Sequence, residues 1–281
     1  MKSVKRIASV GDNCVDVYIN KGGEVYVGGN AVNLAVAVRR LGVGSSYIGM
    51  VGDDNNGRLI ARVLAEECVD VSHLHIMPGE TAWTKIKLEN NDRIPIDEDI
   101  GVQRRFALTD DDYGFIKEHD FIHYTAFTNW PSAYGGGIPD YKITIKTQLE
   151  RFVSDKVRLS MDFSDQEIPG LLELSRNKVE VAFFSRSEMN NDEIREEASR
   201  LINYGFRVVV LTRGIKGSCA FDGVSYIFQG ITPVELVDPL GAGDAFMGAF
   251  LSGYVSEKSI KECLQIAADY SAQVCGRFGG L

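Results

Sequence analysis

The sequence predicts an α/β fold in which a mostly parallel β-sheet is sandwiched between layers of helices. Apolar segments of strand length alternate with segments of helical periodicity along most of the 281 residues. Two hairpin-like stretches, 15–27 and 84–96, interrupt this alternation. Because the sequence shows neither repeats nor low-complexity runs, we expect one main domain with a small inserted β-structure.

The composition excludes some classes of partner. The 30 Lys and Arg against 39 Asp and Glu give a formal net charge of -9, which argues against non-specific binding to nucleic acid or to an anionic membrane. No stretch approaches the roughly 18 consecutive apolar residues of a membrane-spanning helix, and residues 1–6 lead into a strand rather than a signal peptide. The five cysteines are scattered and odd in number, as is usual for reduced thiols. We therefore expect a cytoplasmic protein without nucleic-acid or membrane partners.

The first third of the chain is predicted to contain βα alternation around one hairpin. Leu34, Val38 and Leu41 recur at helical spacing, and Gly42 is expected to end that helix. The predicted elements are strand 7–10, hairpin strands 15–19 and 24–27, a helix that opens within 28–33, strand 46–50, and a helix capped by Asn55 or Asn56.

A second hairpin is predicted from an alternating strand at 84–89, a turn at 90–92 and a strand at 93–96. No helical segment follows it, so we place it outside the main sheet, as a lid that pairs with the first hairpin. The predicted boundaries are 14–28 and 82–105 for the lid, and 1–13, 29–81 and 106–281 for the main domain.

The rest of the chain returns to βα alternation. Thr109 followed by Asp112 has the pattern of a capping box, which predicts a helix start. The further predicted elements are strands 121–125, 158–162, 179–184 and 207–212, helices 143–153, 192–204 and 259–275, and a hairpin with strands 217–221 and 224–228. Ligands of such sheets bind outside the carboxyl ends of the strands, where we expect the active site.

The stretch 237–251 has the pattern of an anion-binding helix start. An extended apolar approach leads to Gly241, Ala242 and Gly243, whose amide groups would face a ligand at the positive end of the helix dipole. Asp244 is unexpected there, because a carboxylate repels an anion unless it accepts a proton. Phosphoryl transfer to an alcohol requires this combination of anion-stabilising donors and a proton acceptor. The alternative is an ordinary helix start in which Asp244 only complements the dipole.

Two motifs resemble the signatures of a known enzyme family. Residues 28–35, Gly-Gly-Asn-Ala-Val-Asn-Leu-Ala, with Gly42 and Gly52 after them, resemble the N-terminal signature of the ribokinase, or PfkB, sugar kinases. Residues 238–244, Asp-Pro-Leu-Gly-Ala-Gly-Asp, with the glycine-containing segment 248–251, resemble the C-terminal signature. The resemblance covers nearly the whole chain.

This resemblance implies the fold and the catalytic groups. The fold would be a ribokinase-like three-layer α/β/α sandwich with a mostly parallel central sheet and a small β lid. Asp244 would deprotonate the acceptor hydroxyl, and the amides of Gly241, Ala242 and Gly243 would form an anion hole. ATP would be the phosphoryl donor and Mg²⁺ its cofactor, with a monovalent cation such as K⁺ near Asp238.

The resemblance also implies ligands for the sugar. Asp16 and Asn33 would bind acceptor hydroxyls, because a carboxylate accepts hydrogen bonds and an amide both donates and accepts them. Gly28 and Gly29 would bring the backbone close to the sugar. Without the family, Asn33 would be interpreted as a helix cap and Asp16 as a solvated strand end.

A loop after strand 207–212 resembles the nucleotide-phosphate loop of the family. The residues implied to bind ATP are Thr212, Arg213, Gly214, Gly217 and Ser185. Arg213 could instead be a surface arginine in a turn. The family's Asn-x-x-Glu motif is matched only at Glu188, which would bind Mg²⁺ through water, whereas Ser185 replaces the asparagine.

The acceptor is suggested by a narrower resemblance. Residues 11–18 and 69–73 are similar to the fructoselysine 6-kinase branch of the family. One hypothesis is that the acidic residues 97–99 bind the ammonium group, and Arg93 the carboxylate, of an amino-acid-modified sugar. The alternative is that these charges are simply solvated.

The sequence thus predicts ATP- and Mg²⁺-dependent phosphorylation of a sugar hydroxyl, with fructoselysine and its 6-phosphate as substrate and product. The alternatives within the class are kinases for fructose, another ketose or a nucleoside. A sugar sensor without catalytic activity is the alternative from another class. Because exposed strand edges invite pairing, a homodimer through the lid is a further hypothesis.

Overall fold

Strands and helices alternate along most of the chain in the computed structural model, which describes residues 4–20, 22–89, 92–125, 141–165 and 170–281. Within these ranges the strands are β1 (Arg6–Val10), β2 (Cys14–Tyr18), β3 (Glu24–Gly28), β4 (Gly44–Gly52), β5 (Leu74–Met77), β6 (Trp83–Glu89), β7 (Asp92–Asp99), β8 (Phe121–Thr125), β9 (Leu159–Asp162), β10 (Val181–Ser185), β11 (Val208–Thr212), β12 (Ser218–Phe221) and β13 (Tyr226–Gln229). The helices are α1 (Asn30–Arg40), α2 (Asn55–Glu66), α3 (Asp110–Ile116), α4 (Tyr141–Ser154), α5 (Leu171–Ser175), α6 (Asn191–Ile202), α7 (Ala242–Val255) and α8 (Ile260–Cys275).

The larger sheet has the strand order β13-β12-β11-β10-β9-β8-β1-β4-β5. From β11 to β5 each strand is parallel to its neighbours, whereas β12 is antiparallel to both β11 and β13. The sheet is therefore mostly parallel, as predicted. The carboxyl ends of its parallel strands meet at one edge.

Helices cover both faces of this sheet, because the strand side chains alternate between two apolar layers. Ala8 and Val10 of β1 belong to the cluster that includes buried residues of α3, α4, α5 and α6. Ile7, which directly precedes Ala8, belongs to the cluster that includes α1, α7 and α8. This alternation confirms the three-layer α/β/α sandwich.

The helices α1 and α7 lie unusually close together. A Cβ atom on Gly248 of α7 would be 2.9 Å from the Cβ of Ala37 and 2.9 Å from the carbonyl oxygen of Leu34, both on α1. Such distances are too short for a side chain, so the absence of one at Gly248 allows the contact. The contact fixes the first turns of the two helices relative to one another.

The smaller sheet has the order β3-β2-β6-β7. Strand β2 pairs antiparallel with β3 and parallel with β6, and β6 pairs antiparallel with β7. The predicted pairing of the two hairpins is therefore confirmed. A 3-10 helix, Gly101–Arg105, follows β7 and buries Val102 in the core of the main sheet. The predicted division into domains stays a prediction.

Several helix starts confirm the sequence analysis and one corrects it. Thr109 and Asp112 form the predicted capping box of α3. The cap of α2 is Asp54 rather than Asn55 or Asn56, since Asp54 has extended dihedral angles and its side chain accepts a hydrogen bond from the Gly57 amide at 2.8 Å. Asn55 already belongs to the helix.

Two further points differ from the predictions. The short elements β5 and α5 were not predicted, because four or five residues are too few for a clear periodicity. The apolar approach at 232–237 forms no strand, and Leu236 there is exposed. Residues 90 and 91 of the predicted lid turn lie outside the described residues.

Within the part of the chain that the structure describes, none of the helices combines the length and apolar character needed to cross a bilayer.

Candidate active site

Polar residues from five parallel strands meet at the carboxyl edge of the larger sheet. Asp12 follows β1, and Thr125, Asp162, Ser185 and Thr212 end β8, β9, β10 and β11. An open cleft of about 170 Å³ lies beside this edge. Its lining residues are Asn30, Asp162, Ser164, Phe183, Phe184, Ser185, Thr212, Gly243, Asp244 and Met247. The cleft thus lies at the edge that the sequence analysis predicted.

A buried amide–carboxylate pair forms one end of the cleft. Asn33 of α1 donates a hydrogen bond from Nδ2 to Oδ2 of Asp244 on α7 at 2.8 Å. The two residues are only 4% and 9% exposed. The Oδ1 atom of Asn33 is buried and has no hydrogen-bond partner in the described part of the chain. An unsatisfied acceptor of this kind suits a ligand hydroxyl.

Asp244 lies in surroundings that favour its protonated form. Burial raises its pKa well above the usual range, and the nearby charges of Asp12, Asp162 and Asp16 raise it further. The hydrogen bond from Asn33 acts in the opposite direction. Burial also raises the pKa of Asp162, to about 6. A carboxylate with a raised pKa is a stronger base, as general-base catalysis near neutral pH requires.

The first turn of α7 reaches the cleft, as the predicted anion hole requires. Gly241 precedes the helix with a φ of 70°, a left-handed conformation that glycine adopts readily. The Ala242 amide donates to the Pro239 carbonyl at 3.3 Å, whereas Gly243 lines the cleft. The Gly243 amide is therefore better placed for an anion than the Ala242 amide. The roles of Gly241, Ala242 and Gly243 stay predictions.

Two glycines make room for the predicted sugar ligands. Asp16 on β2 is 4% exposed. A Cβ on Gly28 would be 2.6 Å from Oδ2 of Asp16, and one on Gly29, whose φ is 105°, would be 2.4 Å from the Cα of Asn13. These glycines therefore contact the protein's own site residues. Whether they also approach a sugar stays a prediction.

Asp12 is a site residue that the sequence analysis missed. Its Oδ2 accepts a hydrogen bond from the Asn30 amide at 2.9 Å, and the Thr125 hydroxyl donates to its Oδ1 at 2.9 Å. Gly29 precedes α1 without a capping side chain, so Asp12 supplies the cap from another strand. Its position directly after a buried strand was the signal available in the sequence.

Of the predicted nucleotide loop, Thr212 and Ser185 lie at the cleft, whereas Arg213 is buried against α6. The hydroxyls of Ser185 and Thr212 are 3.3 Å apart and both residues line the cleft. The Arg213 amide donates to the Gly217 carbonyl at 2.8 Å, and Gly214 follows in the same turn. Arg213 itself is 7% exposed and donates from Nη1 to Asn191 on α6 at 2.7 Å. Arg213 is therefore not the surface arginine of the alternative interpretation, and its contact with ATP phosphates stays a prediction.

The segment after β10 contains Glu188, which the sequence analysis named as a metal ligand, and Arg186, which it did not name. Glu188 is exposed, and its carbonyl accepts a hydrogen bond from Lys216 at 3.1 Å. Arg186 is buried, pairs with Glu197 at 3.0 Å, and donates to the carbonyls of Ser164 and Ser185. Arg186 therefore connects two loops that line the cleft. The metal role of Glu188 stays a prediction.

The acidic segment at the end of β7 is divided between separate contacts. Asp97 forms an ion pair with Lys85 at 2.8 Å, and Asp99 forms one with Arg104 at 3.0 Å. Glu98 is half-buried and has no hydrogen bond or ion pair with any of the described residues. Asp97 and Asp99 thus already have cationic partners within the protein, and the hypothesis that residues 97–99 bind an ammonium group stays a prediction. Arg93 lies on β7, but its side chain is outside what the structure describes.

Residues far along the chain complete the site. The Gly279 amide donates to Oδ2 of Asp238 at 3.0 Å, and the Tyr18 hydroxyl of the lid donates to the same atom at 3.3 Å. A Cβ on Gly280 would be 2.9 Å from Nδ2 of Asn33, so Gly280 lies against the Asn33–Asp244 pair. The segment 279–280 thus contacts both this pair and Asp238, the first residue of the motif that contains the predicted anion hole.

A comparison with solved structures identifies the fold. The structure resembles that of Arabidopsis thaliana ribokinase, solved with ribose and ATP, with a TM-score of 0.84 and 21% sequence identity over 98% of this chain and 94% of the other. The fold is therefore ribokinase-like.

The sequence comparisons identify the family. A model of the pfkB family carbohydrate kinases matches residues 5–281, and the chain belongs to that family. It is similar to the fructoselysine 6-kinase of Escherichia coli (strain K12), with 32% identity over 93% of this chain and 94% of the relative. The fructosamine kinase FrlD of Bacillus subtilis (strain 168) is also 32% identical, over 98% and 92%. The protein is accordingly a sugar kinase.

Proposed function

We propose that the protein phosphorylates a fructosamine such as fructoselysine on its 6-hydroxyl, with ATP as the donor. The observation that carries this proposal is the buried pair of Asn33 and Asp244 at the first turn of α7, where Asp244 lines the cleft. Two relatives with fructosamine substrates in their names support the choice of acceptor.

The chain's own residues suggest how the hydroxyl is activated. The acceptor hydroxyl would donate a hydrogen bond to the Asp244 carboxylate, which takes the proton as the oxygen attacks the transferred phosphoryl group. Asn33 holds that carboxylate through Nδ2, while its unsatisfied Oδ1 would accept a bond from a second hydroxyl. Asp16 would bind a further hydroxyl. General-base catalysis of this kind is typically worth about 10²–10⁴-fold in rate.

The cleft fits Mg²⁺ in its donor chemistry. Magnesium prefers oxygen ligands, few of them carboxylates, and the cleft presents the Asp162 carboxylate beside the hydroxyls of Ser185 and Thr212. Asp162 and, through water, Glu188 would hold the ion, which when bound neutralises charge on the phosphates. The Gly243 amide would face the transferred group. A monovalent cation near Asp238 is proposed as well, and rates in K⁺ and tetramethylammonium salts would test it.

We propose two further properties of the protein, dimerisation through the lid and a cytoplasmic location. Ile19, Val25, Ile94 and Ile96 are exposed apolar residues of the lid region, which supports dimerisation through the lid. Light scattering coupled to size exclusion would test this. The cytoplasmic location is supported by the proposed use of ATP.

The proposed reaction can be tested directly. The protein is incubated with ATP, Mg²⁺ and either fructoselysine, fructose, ribose or adenosine, and the products are analysed by mass spectrometry. A gain of one phosphate on fructoselysine, with much lower kcat/KM for the others, is expected. Preferred phosphorylation of another acceptor would replace the substrate, and sugar binding without product would favour a sensor.

A further inference from the structure

The inner face of the lid carries a continuous row of side chains. Cross-strand pairing places Tyr26 of β3 opposite Asp16 of β2, Asp16 beside Thr84 of β6, and Thr84 opposite Glu98 of β7. Residues paired in this way project from the same face of a sheet. Asp16 is buried and is a predicted ligand of the acceptor, so Glu98 shares the face on which we place the acceptor.

The neighbours of Glu98 project from the opposite face. Asp97 is paired in register with Lys85, and their side chains form an ion pair at 2.8 Å. Asp99 is bound to Arg104 and to the Gly101 amide. Of the three acids, therefore, Glu98 alone is left without a cation among the residues that the structure describes.

One end of this row lies nearer to the predicted base, Asp244, than the other end. The charge of Asp16 raises the pKa of Asp244, which places Asp16 at the end near the base. Glu98 is two strands farther along, and with about 4.8 Å between strands their backbones are roughly 10 Å apart. A ketose whose hydroxyls contact Asp16 and Asn33 could therefore present a substituent to Glu98.

The chemistry of Glu98 selects the substituent. A half-buried carboxylate loses part of its hydration and gains most from a cation that binds it directly. An amine attached to a sugar is cationic at neutral pH, whereas an unsubstituted ketose has no positive charge to offer. The unsatisfied Oδ1 of Asn33 independently indicates a ligand in the same site.

We infer that Glu98 is a specificity-determining residue that binds the cationic amine of an amino-substituted ketose. This inference rests on the proposed function and deepens it, since it assigns the recognition of the amine to one carboxylate on the lid. Asp97 and Asp99, the neighbouring acids, take no part in it.

The test compares Glu98→Gln with Asp97→Asn, a matched control that removes the same charge from the adjacent residue of the same strand. Values of kcat and KM are measured for fructoselysine and for fructose at constant ionic strength. Glu98→Gln is expected to reduce the ratio of kcat/KM for fructoselysine to that for fructose about tenfold or more, mainly through KM, because a desolvated ion pair is lost. Asp97→Asn is expected to leave this ratio within about twofold of the wild type, as for an exposed charge.

Charge reversal provides a second variant. Glu98→Lys is expected to lower the ratio further than Glu98→Gln, because it replaces attraction to the amine by repulsion. An unchanged ratio in both Glu98 variants would overturn the inference, as would an equal fall in Asp97→Asn.

The two proposals fail in distinguishable ways. If the wild type prefers fructoselysine and the Glu98 variants retain that preference, the assignment of Glu98 is wrong and the proposed function stands. If the wild type shows no preference for fructoselysine, the proposed function is wrong and the assignment of Glu98 is lost with it.

Discussion

The contact between α1 and α7 differs from the lid sheet in packing, burial and charge. At the helix contact, Gly248 allows backbone-to-backbone approach and the Asn33–Asp244 pair is almost fully buried. On the lid, ion pairs such as Lys85–Asp97 are about half exposed, and exposed apolar residues lie beside them. The Asn33–Asp244 pair, whose geometry must be fixed for the proposed reaction, thus lies in tightly packed surroundings. The residues proposed to distinguish substrates lie on the more exposed lid, where substitutions disturb the packing less.

The largest expected effect comes from removing the base. Asp244→Asn is expected to lower kcat by about 10²–10⁴-fold or more, because the acceptor hydroxyl then has no proton acceptor. Its thermal midpoint at pH 8 should not fall, since a neutral amide replaces a carboxylate whose pKa burial raises. Steady-state kinetics and thermal unfolding measure the two quantities. A folded variant with near wild-type kcat would remove Asp244 from the proposed mechanism.

A single methyl group should disturb the helix contact. Gly248→Ala is expected to cost about 1–3 kcal/mol of unfolding free energy through overpacking. Gly114→Ala is the matched control, because Gly114 lies in α3 and no atom would lie within 4 Å of its added Cβ. That control should be neutral or stabilised by up to about 1 kcal/mol through helix propensity. Urea denaturation measures both, and equal effects would show that the contact is less tight than described.

The pH dependence of activity should distinguish a charge at the cleft from a charge on the lid. The charge of Asp162 raises the pKa of Asp244, so Asp162→Asn should let Asp244 lose its proton at lower pH. The acid limb of the kcat/KM profile should therefore move to lower pH, while Asp97→Asn on the lid should leave it in place. A limb that moves upward, or moves equally in both variants, would contradict this electrostatic account.

The raised pKa of Asp162 also predicts how the free energy of unfolding changes with pH. Its folded pKa of about 6 is above the ordinary value of 3.8. Stability from this group is therefore present below that ordinary value and is lost as pH rises through about 6. Asp162→Asn should remove this decline, which denaturation at pH 4, 6 and 8 would reveal. A decline that persists unchanged would assign it to another group.

The smallest effect is expected on the lid. The Lys85–Asp97 pair has side chains that are 43% and 53% exposed. A double-mutant cycle with alanine at both positions should give a coupling of only about 0.2–1 kcal/mol, as for other exposed pairs. A coupling above about 2 kcal/mol would mean that the lid is as rigidly built as the helix contact.

The predictability of each feature depended on how local its cause is. Every strand of the main sheet except the short β5, and the capping box at Thr109, were predicted, because periodicity and capping act over a few residues. Asp54 was missed as a cap because Asp and Asn both serve in that role, so neighbouring candidates are hard to separate.

Site residues followed the same rule. Asp244 and Asn33 stand in motifs that the sequence shows, and the structure brings them together. Asp12 was missed because its contacts, Asn30 and Thr125, are 18 and 113 residues away. The direction of Arg213 depends on Asn191, a helix residue that the loop sequence does not reveal.

The large sequence separation of Asn33 and Asp244 has a consequence for when the site can form during protein synthesis. Asn33 and Asp244 are 211 residues apart in the sequence. At roughly 5–20 residues per second, a ribosome needs on the order of 10–40 s to synthesise the second after the first. Late in that interval the nascent chain contains both lid hairpins and Asn33 but not Asp244. Because Asn33 lies on α1, which packs against α7, the paired site cannot form until α7 has been synthesised.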